Sequence, residues 1–444
     1  MRLTVIAIIV AGLSMQANAD FVQSIKTTVE TQSTNTNSME KDRDVISAEY
    51  IAKYSRALSS NQFIYADARA LLTNDAVNYN AFDGSNATAN TEDNDHLVFK
   101  LNQLWWQYNF AQPSQQNSLF IGLKRHRLSP YWLDDEIESL SWQVSSTRVD
   151  WQLGFGQKFS TFNSSTSLKE EEKSKLYGWA EIESDWMPYH HWSLKGLVTT
   201  QYKDIDEDKV SSAYSSALEG ELWWLGAGLS HNWLAKDDPT STFAYNLQAI
   251  QLLGNGQFFD FNGQTLRQSS ISANAFLGGV RTQISSAPFY LGGTFAYSEG
   301  GKNAESTFIQ TALASNKGKY AGNRNSLYQF NYAFDPDLSN LVTGSIFASY
   351  AFDRDWSITG AISSYQKADR AAPISRRQHR LLINNRQKTL GTGFDIEASY
   401  RSDNLLGTSL SSVMQIRASH FVTDDALKHF QDETRLRFDI TVKL

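Results

Sequence analysis

Apolar and polar residues alternate with a period of two along most of this chain. RLRFDITVKL, residues 435–444, places Leu436, Phe438, Ile440, Val442 and Leu444 on one face of an extended strand. Arg435, Arg437, Asp439, Thr441 and Lys443 fall on the other. VDWQLGFGQKF sets Val149, Trp151, Leu153, Phe155, Gln157 and Phe159 against Asp150, Gln152, Gly154, Gly156 and Lys158. TLGTGFDIEASYR sets Leu390, Phe394, Ile396, Ala398 and Tyr400 against Gly391, Gly393, Asp395, Glu397, Ser399 and Arg401. LYGWAEIESDW opposes Ala180, Ile182 and Trp186 to Glu181, Glu183 and Asp185.

Eighteen such segments are predicted. They span 21–31, 45–56, 61–72, 97–110, 117–128, 136–147, 149–160, 176–187, 190–203, 218–230, 242–253, 270–283, 288–298, 341–353, 355–366, 390–401, 410–421 and 433–444. Most have the length of about 9–11 residues at which a tilted strand crosses a bilayer. The linkers provide an independent signal, because short ones (57–60, 148, 188–189, 284–287, 354) alternate with long ones (73–96, 161–175, 204–217, 299–340, 367–389). Outer-membrane barrels have this form, with short periplasmic turns, long external loops and an even strand number. In hydrocarbon every backbone amide is paired within the protein, and a closed antiparallel sheet does so without free edges. The expectation is an all-β transmembrane antiparallel β-barrel of about 18 strands, one domain over 20–444, with both termini in the periplasm.

Composition adds a route and a compartment. MRLTVIAIIVAGLSMQANAD has the basic start, apolar run and Ala-Asn-Ala end of a secretory signal peptide over 1–19, with cleavage after Ala19. The run is shorter than the roughly 20 apolar residues of a membrane helix, and no later stretch approaches that length. There is no cysteine, so the exported chain is not cross-linked by disulfides. Trp105-Trp106, Trp186, Trp192 and Trp223-Trp224 sit near segment ends, as in the aromatic girdles of a barrel. A secreted β-sandwich or β-helix shares this composition. The alternation and the linker pattern separate the barrel from them.

A barrel of this size encloses an aqueous channel, which places function on the inward residues and on loops that fold in. The inward set carries both signs: Asp67 and Arg69, Asp150 and Lys158, Glu181, Glu183 and Asp185, Asp395, Glu397 and Arg401, Arg417, then Arg435, Arg437, Asp439 and Lys443. Charged rings tune the ion selectivity of a pore; the plainer reading is that paired charges wet the lumen and stiffen its wall. A net charge of −7 speaks against an anion-attracting surface overall. The distribution is uneven, however. Arg370, Arg376, Arg377, Arg380, Arg386 and Lys388 form an acid-free run in an external loop. Contact with lipopolysaccharide at the rim, a landing site for a polyanion and a merely solvated loop all fit that run. Linker 299–340 bears Lys302, Lys317, Lys319 and Arg324, whereas linker 73–96 bears Asp75, Asp83, Glu92, Asp93 and Asp95. Opposite charge on two loops of one rim suits a lid over the mouth.

Enzymatic chemistry finds no support in the motifs. A Gly-x-Ser-x-Gly elbow is absent, and the histidines lie in turns or stand alone. His190-His191 at a periplasmic turn read as interfacial polar residues before they read as metal ligands. No catalytic residue, metal, cofactor or nucleic-acid partner is expected.

Several stretches, in order, resemble the alginate export porins of the bacterial outer membrane. They are FIGLKRHRLSPYWLDDEIESLSW (120–142), GFGQKFSTF, GWAEIESDWMPYHHW, ELWWLGAGL, TFIQTALASNKGKYAGNR (307–324) with FDPDLSNL (334–341), and the strand pair around DRDWSITG. The resemblance runs over most of the mature chain. It implies an eighteen-stranded monomer that passes a linear anionic polysaccharide outward through an arginine-lined constriction. Guanidinium groups can replace the hydration of a polyuronate's carboxylates, and passage requires attraction weak enough for release. On the family's basic positions stand Arg125, Lys158, Lys317 and Arg324; with the inward Arg69 and Arg417 they form the expected polyanion-binding set. Glu181 and Asp395 fall on acidic positions and join Asp67 and Asp150 as lumen acids. Leu123, Ser326, the two lysines and the short turn 402–409 depart from the family pattern, which bears on the polymer's identity more than on export. The implied partners are the polysaccharide, outer-membrane lipid and lipopolysaccharide, and periplasmic export proteins. A porin taking up small anions or oligosaccharides is the alternative, ahead of an outer-membrane enzyme and of a structural or adhesive barrel.

Overall fold

The computed structural model describes residues 19–444 apart from 35–42, 75–95, 112–114, 130, 159–167, 169, 205, 232, 234–241, 262, 264, 285–287, 302, 304–305, 315–326, 354, 377–378, 382, 385, 404–409 and 428–429. Its strands are β1 (Ala19–Thr34), β2 (Arg43–Ser59), β3 (Gln62–Thr73), β4 (Leu97–Phe110), β5 (Gln115–Ser129), β6 (Leu133–Ser146), β7 (Val149–Gln157), β8 (Lys175–Met187), β9 (His190–Gln201) and β10 (Gly220–His231). They continue with β11 (Phe243–Phe259), β12 (Leu266–Gln283), β13 (Phe289–Ser298), β14 (Leu341–Ala351), β15 (Trp356–Lys367), β16 (Ser375–Arg376), β17 (His379–Arg380), β18 (Thr389–Ser402), β19 (Ser412–Thr423) and β20 (Glu433–Lys443). β16 and β17 make a small hairpin within the loop between β15 and β18. The other strands form one 18-stranded antiparallel sheet, closed because β1 pairs with both β2 and β20. Each of the predicted segments coincides with one barrel strand. Of the expected signal segment only Ala19, the first residue of β1, lies among the described residues.

The alternation sorts side chains as expected. On β20, Leu436 is 46% exposed on the outer wall, while its neighbour Arg435 is 2% exposed on the inner one. At the short-turn end aromatic pairs ring the outer wall, among them Trp142 with Trp151 (centroids 5.1 Å) and Trp356 with Tyr400 (4.6 Å). One apolar residue breaks parity. Leu390, placed by alternation with the outward set, is fully buried inside. The cause is Gly391 (φ +149°), at a bulge where the β15–β18 register shifts between Tyr365 and Gln366. A Cβ at Gly391 would stand 2.2 Å from the Val422 carbonyl oxygen, so only glycine turns the strand there.

The main departure from a plain barrel is the β5–β6 hairpin. β4 pairs with β5 over Leu104–Phe110 and Asn117–Leu123, and β6 pairs with β7 over Glu138–Ser145 and Asp150–Gln157. Beyond those limits β5 and β6 pair with each other, to Ser129 opposite Leu133. Residues 124–137 therefore leave the wall and enter the barrel. Glycines mark both exits: a Cβ on Gly122 would meet the Leu104 carbonyl oxygen at 2.3 Å, and one on Gly156 the Glu138 carbonyl oxygen at 2.3 Å. Inside, Trp132 is buried and lies against β10, where a Cβ on Gly226 would come within 2.3 Å of the indole ring. The loop between β13 and β14 meets the hairpin from the opposite side of the barrel. The Thr311 hydroxyl donates to the Trp132 carbonyl, and the Asp134 amide donates to the Leu313 carbonyl at 2.9 Å. Trp132, Leu133 and Ile137 thus share one apolar core with Phe308, Ile309, Leu313, Trp179, Trp224 and Leu252. This barrel's hydrophobic core lies within its lumen.

Candidate functional site

The inner wall has two unlike arcs. Across β10–β15 the inward residues are mostly apolar or small, for example Leu222, Ile250, Ala273, Ala275, Leu277 and Ala296. The β13–β14 loop covers this arc. Phe308, Ile309, Leu313 and Leu338 are buried in the same apolar core as this arc, and the Trp224 indole donates to the Ile309 carbonyl at 2.8 Å.

Over β18–β20 and β1–β4 the inner wall is charged, and its cations meet carboxylates. Arg69 donates to Glu49 and Asp67, each at 3.2 Å. Arg417 pairs with Glu397, Arg435 with Glu433 at 2.7 Å, and Arg437 with Asp439 at 2.8 Å and Glu30 at 3.1 Å. The β13–β14 loop reaches this arc too. Tyr328 and Tyr332 stack on each other (4.8 Å) and lie over the guanidinium of Arg417, at 4.8 and 5.3 Å. Tyr332 also lies 5.3 Å from Arg435 and donates its hydroxyl to Glu30. A cation under an aromatic face keeps a favourable partner when shut off from water. These arginines are consequently covered.

The predicted residues separate into groups. Arg125, Asp150 and Glu181 come together on a polar cavity of about 490 Å³, also lined by Arg127, Gln152 and Glu183. Arg125 donates to Asp134 at 2.7 Å and lies 3.7 Å from Glu136. Glu181 accepts from Lys195 at 2.8 Å and Gln152 at 2.6 Å. Asp150 is exposed near the β6–β7 turn and accepts from Ser145 at 2.7 Å. Asp67 and Arg69 form their own pair on β3. Lys158 is packed between Asp135 (2.6 Å) and Glu172 (3.5 Å). Asp395 forms no ion pair with an arginine among the described residues; it anchors the loop, accepting from the Asn331 side chain at 3.0 Å and the Tyr332 amide at 3.1 Å. Lys317 and Arg324, like the acidic residues of linker 73–96 and the lid they suggest, lie outside the described residues.

Arg127 is the residue that alternation missed. It shares Asp134 with Arg125, at 3.1 Å, and its side chain is 60% exposed against 39% for Arg125 and none for Asp134. Lys124-Arg125-His126-Arg127 is a polar run that no alternating wall strand accommodates, and that break was the available signal.

The basic run in the β15–β18 loop also divides. Arg376 turns inward to Glu433 (3.1 Å) and the Ala333 carbonyl (2.9 Å). Arg380 donates to the carbonyls of Phe259 (2.7 Å) and Asp260 (2.5 Å). Burial lowers its guanidinium from the usual range to about 10, opposed by Asp260, so it stays charged at neutral pH. Arg370, Arg386 and Lys388 are exposed. At the short-turn end His190 stacks on His231 with centroids 4.1 Å apart and planes 9° apart. Parallel rings aim their nitrogen lone pairs side by side, not at one ion. Among the described residues no group of three metal-binding side chains occurs.

Comparison with curated proteins places this arrangement. The chain is 24% identical over 392 residues to the alginate production protein AlgE of Pseudomonas aeruginosa, covering 82% of this chain and 78% of that protein. It is 23% identical over 393 residues to the protein of the same name from Pseudomonas syringae pv. tomato, covering 79% and 76%. Over most of its length the chain is thus similar to alginate production proteins, in line with the resemblance to the alginate export porins. No family model matches it. Among solved structures, Pseudomonas aeruginosa OccK9 (OpdG) superposes with a TM-score of 0.62 at 10% identity, covering 96% of this chain and 98% of that one. A BenF-like porin from Pseudomonas fluorescens Pf-5 gives 0.60 at 12%, covering 96% and 99%. Those likenesses carry the fold alone. The protein is an outer-membrane barrel, so its short-turn end is periplasmic and its long-loop end extracellular.

Proposed function

We propose that the protein is an outer-membrane channel that passes an anionic, uronic-acid polysaccharide of the alginate type outward. The observation that carries this reading is the inward hairpin with Arg125 and Arg127, two partly exposed guanidinium groups sharing one buried carboxylate. Each retains N–H donors for a carboxylate of a passing chain, in the planar fork geometry that suits it. Glu181, Glu183 and Asp150 line the same cavity and keep the attraction weak enough for release. The β13–β14 loop packs on the neutral arc and covers Arg417 and Arg435 of the charged arc through Tyr328 and Tyr332, so the polymer's contacts fall to the hairpin guanidinium groups and Arg69. Arg69, a quarter exposed, is a second contact for the polymer, and Lys317 and Arg324 are further contacts on the grounds of family resemblance. Lys158 and Arg417, being paired and covered, act by holding Asp135, Glu172 and Glu397 in place. No step makes or breaks a covalent bond.

Single-channel recording in planar bilayers tests the reading. Mannuronate oligomers are expected to reduce the current. Arg125→Ala/Arg127→Ala is expected to weaken that block by roughly tenfold or more, because a charge-assisted hydrogen bond contributes on the order of 1.5–3 kcal/mol. Its reversal potential should move toward the cation side. A block that is unchanged in the double variant removes the hairpin from the polymer's path. Equal block by monomers and oligomers would favour the uptake porin instead.

A further inference from the structure

We propose that the outer wall of the barrel carries a binding site for a phosphorylated, acylated glycolipid of the outer leaflet. The wall over β14, β15, β18 and β19 is dented on its lipid side. Gly344 and Gly360 present no side chain there and Ala418 a small one, while Ile346, Ile362 and Phe394 stand around them, the two isoleucines 70% and 57% exposed. The groove measures about 850 Å³, within the range of roughly 300–1,000 Å³ typical of small-molecule sites.

The groove has a direction. It begins near mid-wall, where its lining is apolar, and runs to the extracellular ends of β18–β20. There the outward positions become Thr392, His420 and Thr434, with His420 Nδ1 2.8 Å from the Thr434 hydroxyl. Hydroxyl and imidazole groups facing hydrocarbon would lack partners beyond this pair, so the chemistry calls for a polar portion of the occupant at this depth. Above them, in the loop joining β15 to β18, stand Arg370, Arg386 and Lys388. All three are exposed, and none makes an ion pair among the described residues, in contrast to Arg376 of the same loop, which turns inward to Glu433. An apolar slot, a hydroxylated shelf and, in the extracellular loop that follows, three exposed cations match acyl chains, sugar and phosphates in the same order. A zwitterionic phospholipid leaves the cations without matching negative charge.

Gly344 makes the site testable without damaging the barrel. Nothing lies within 4 Å of where its Cβ would be, so a side chain can leave the wall there, and Gly344→Trp puts an indole into the groove. Native mass spectrometry of the full-length protein, extracted in mild detergent and incubated with purified lipid A, reads the occupancy. Wild type is expected to retain lipid A, and Gly344→Trp to lower the affinity roughly tenfold, the equivalent of two buried methylenes. Arg370→Ser/Arg386→Ser/Lys388→Ser should weaken lipid A and leave its dephosphorylated form unaffected. Heat-modifiable migration on gels checks that each variant keeps the barrel. Equal retention by wild type and Gly344→Trp overturns the groove, and equal retention of phosphatidylethanolamine and lipid A overturns the assignment of the ligand class.

Discussion

The wall over β10–β15 and the wall over β18–β20 with β1–β4 share one alternating pattern, yet they end in opposite physical states. On the first, small and apolar inward residues make a dry surface on which the chain's own β13–β14 loop packs. On the second, inward arginines and carboxylates are paired side by side, and the loop reaches this arc through two tyrosines over the arginines, Phe334 stacked on Phe421 and a few hydrogen bonds. The first arc is held by area removed from water, which is forgiving of any one contact. The second depends on completeness: a buried cation with its carboxylate is tolerable, and the same cation without it is costly. Inward charge is therefore not equivalent to an available site. Arg435 at 2% exposure and Arg127 at 60% differ in this respect although both are lumen arginines.

The sharpest way to break this comparison is Glu433→Ala. Glu433 accepts from Arg435 at 2.7 Å, Arg376 at 3.1 Å and Gln32 at 2.8 Å. Its removal takes the paired carboxylate from two buried cations at once, and a loss of about 3–5 kcal/mol is expected, measured as a lower urea midpoint for the heat-modifiable form. A shift below about 1 kcal/mol would mean that water reaches Arg435 and that the two arcs do not differ in kind. Tyr332→Phe removes the hydroxyl that the loop donates to Glu30, while Arg437 still pairs with that carboxylate at 3.1 Å. The expected cost is about 1–3 kcal/mol, accompanied by more frequent current fluctuations as the loop leaves the charged arc; a quiet channel of unchanged stability would show that this bond does not hold the loop. The smallest effect belongs to the neutral arc. Ser345 and Ser363 share a hydrogen bond at 2.7 Å, and replacing both by alanine removes donor and acceptor together. Stability within about 1 kcal/mol of wild type is expected, and a larger loss would assign the neutral wall a polar network of its own.

Much of the barrel was legible because period-two alternation is a local property, read one strand at a time. The linker lengths added which end is which, and the terminal strand RLRFDITVKL sorted its faces as its pattern implied. Legibility failed where a backbone left the regular ladder. Leu390 has outward parity and sits inside because the Gly391 bulge resets the count. Residues 124–137 read as two wall strands and a turn, whereas they form a hairpin that quits the wall at Gly122 and Gly156. With it went Arg127, whose exposure follows from that departure. Asp395 was readable as an inward acid, but its engagement with Asn331 and Tyr332 requires the approach of a loop more than sixty residues away in sequence.

The sequence by itself determined the sheet, its closure, its sidedness and the sign of the charge on each inward position, because those depend on short-range periodicity and on the need to pair every amide in lipid. Tertiary structure alone decided which of those charges face open lumen and which are sealed. That outcome depends on where the β5–β6 hairpin and the β13–β14 loop come to rest. Their resting place is set by packing against residues on the opposite wall, such as Trp132 on Gly226 and Tyr332 on Arg417, which no local pattern encodes.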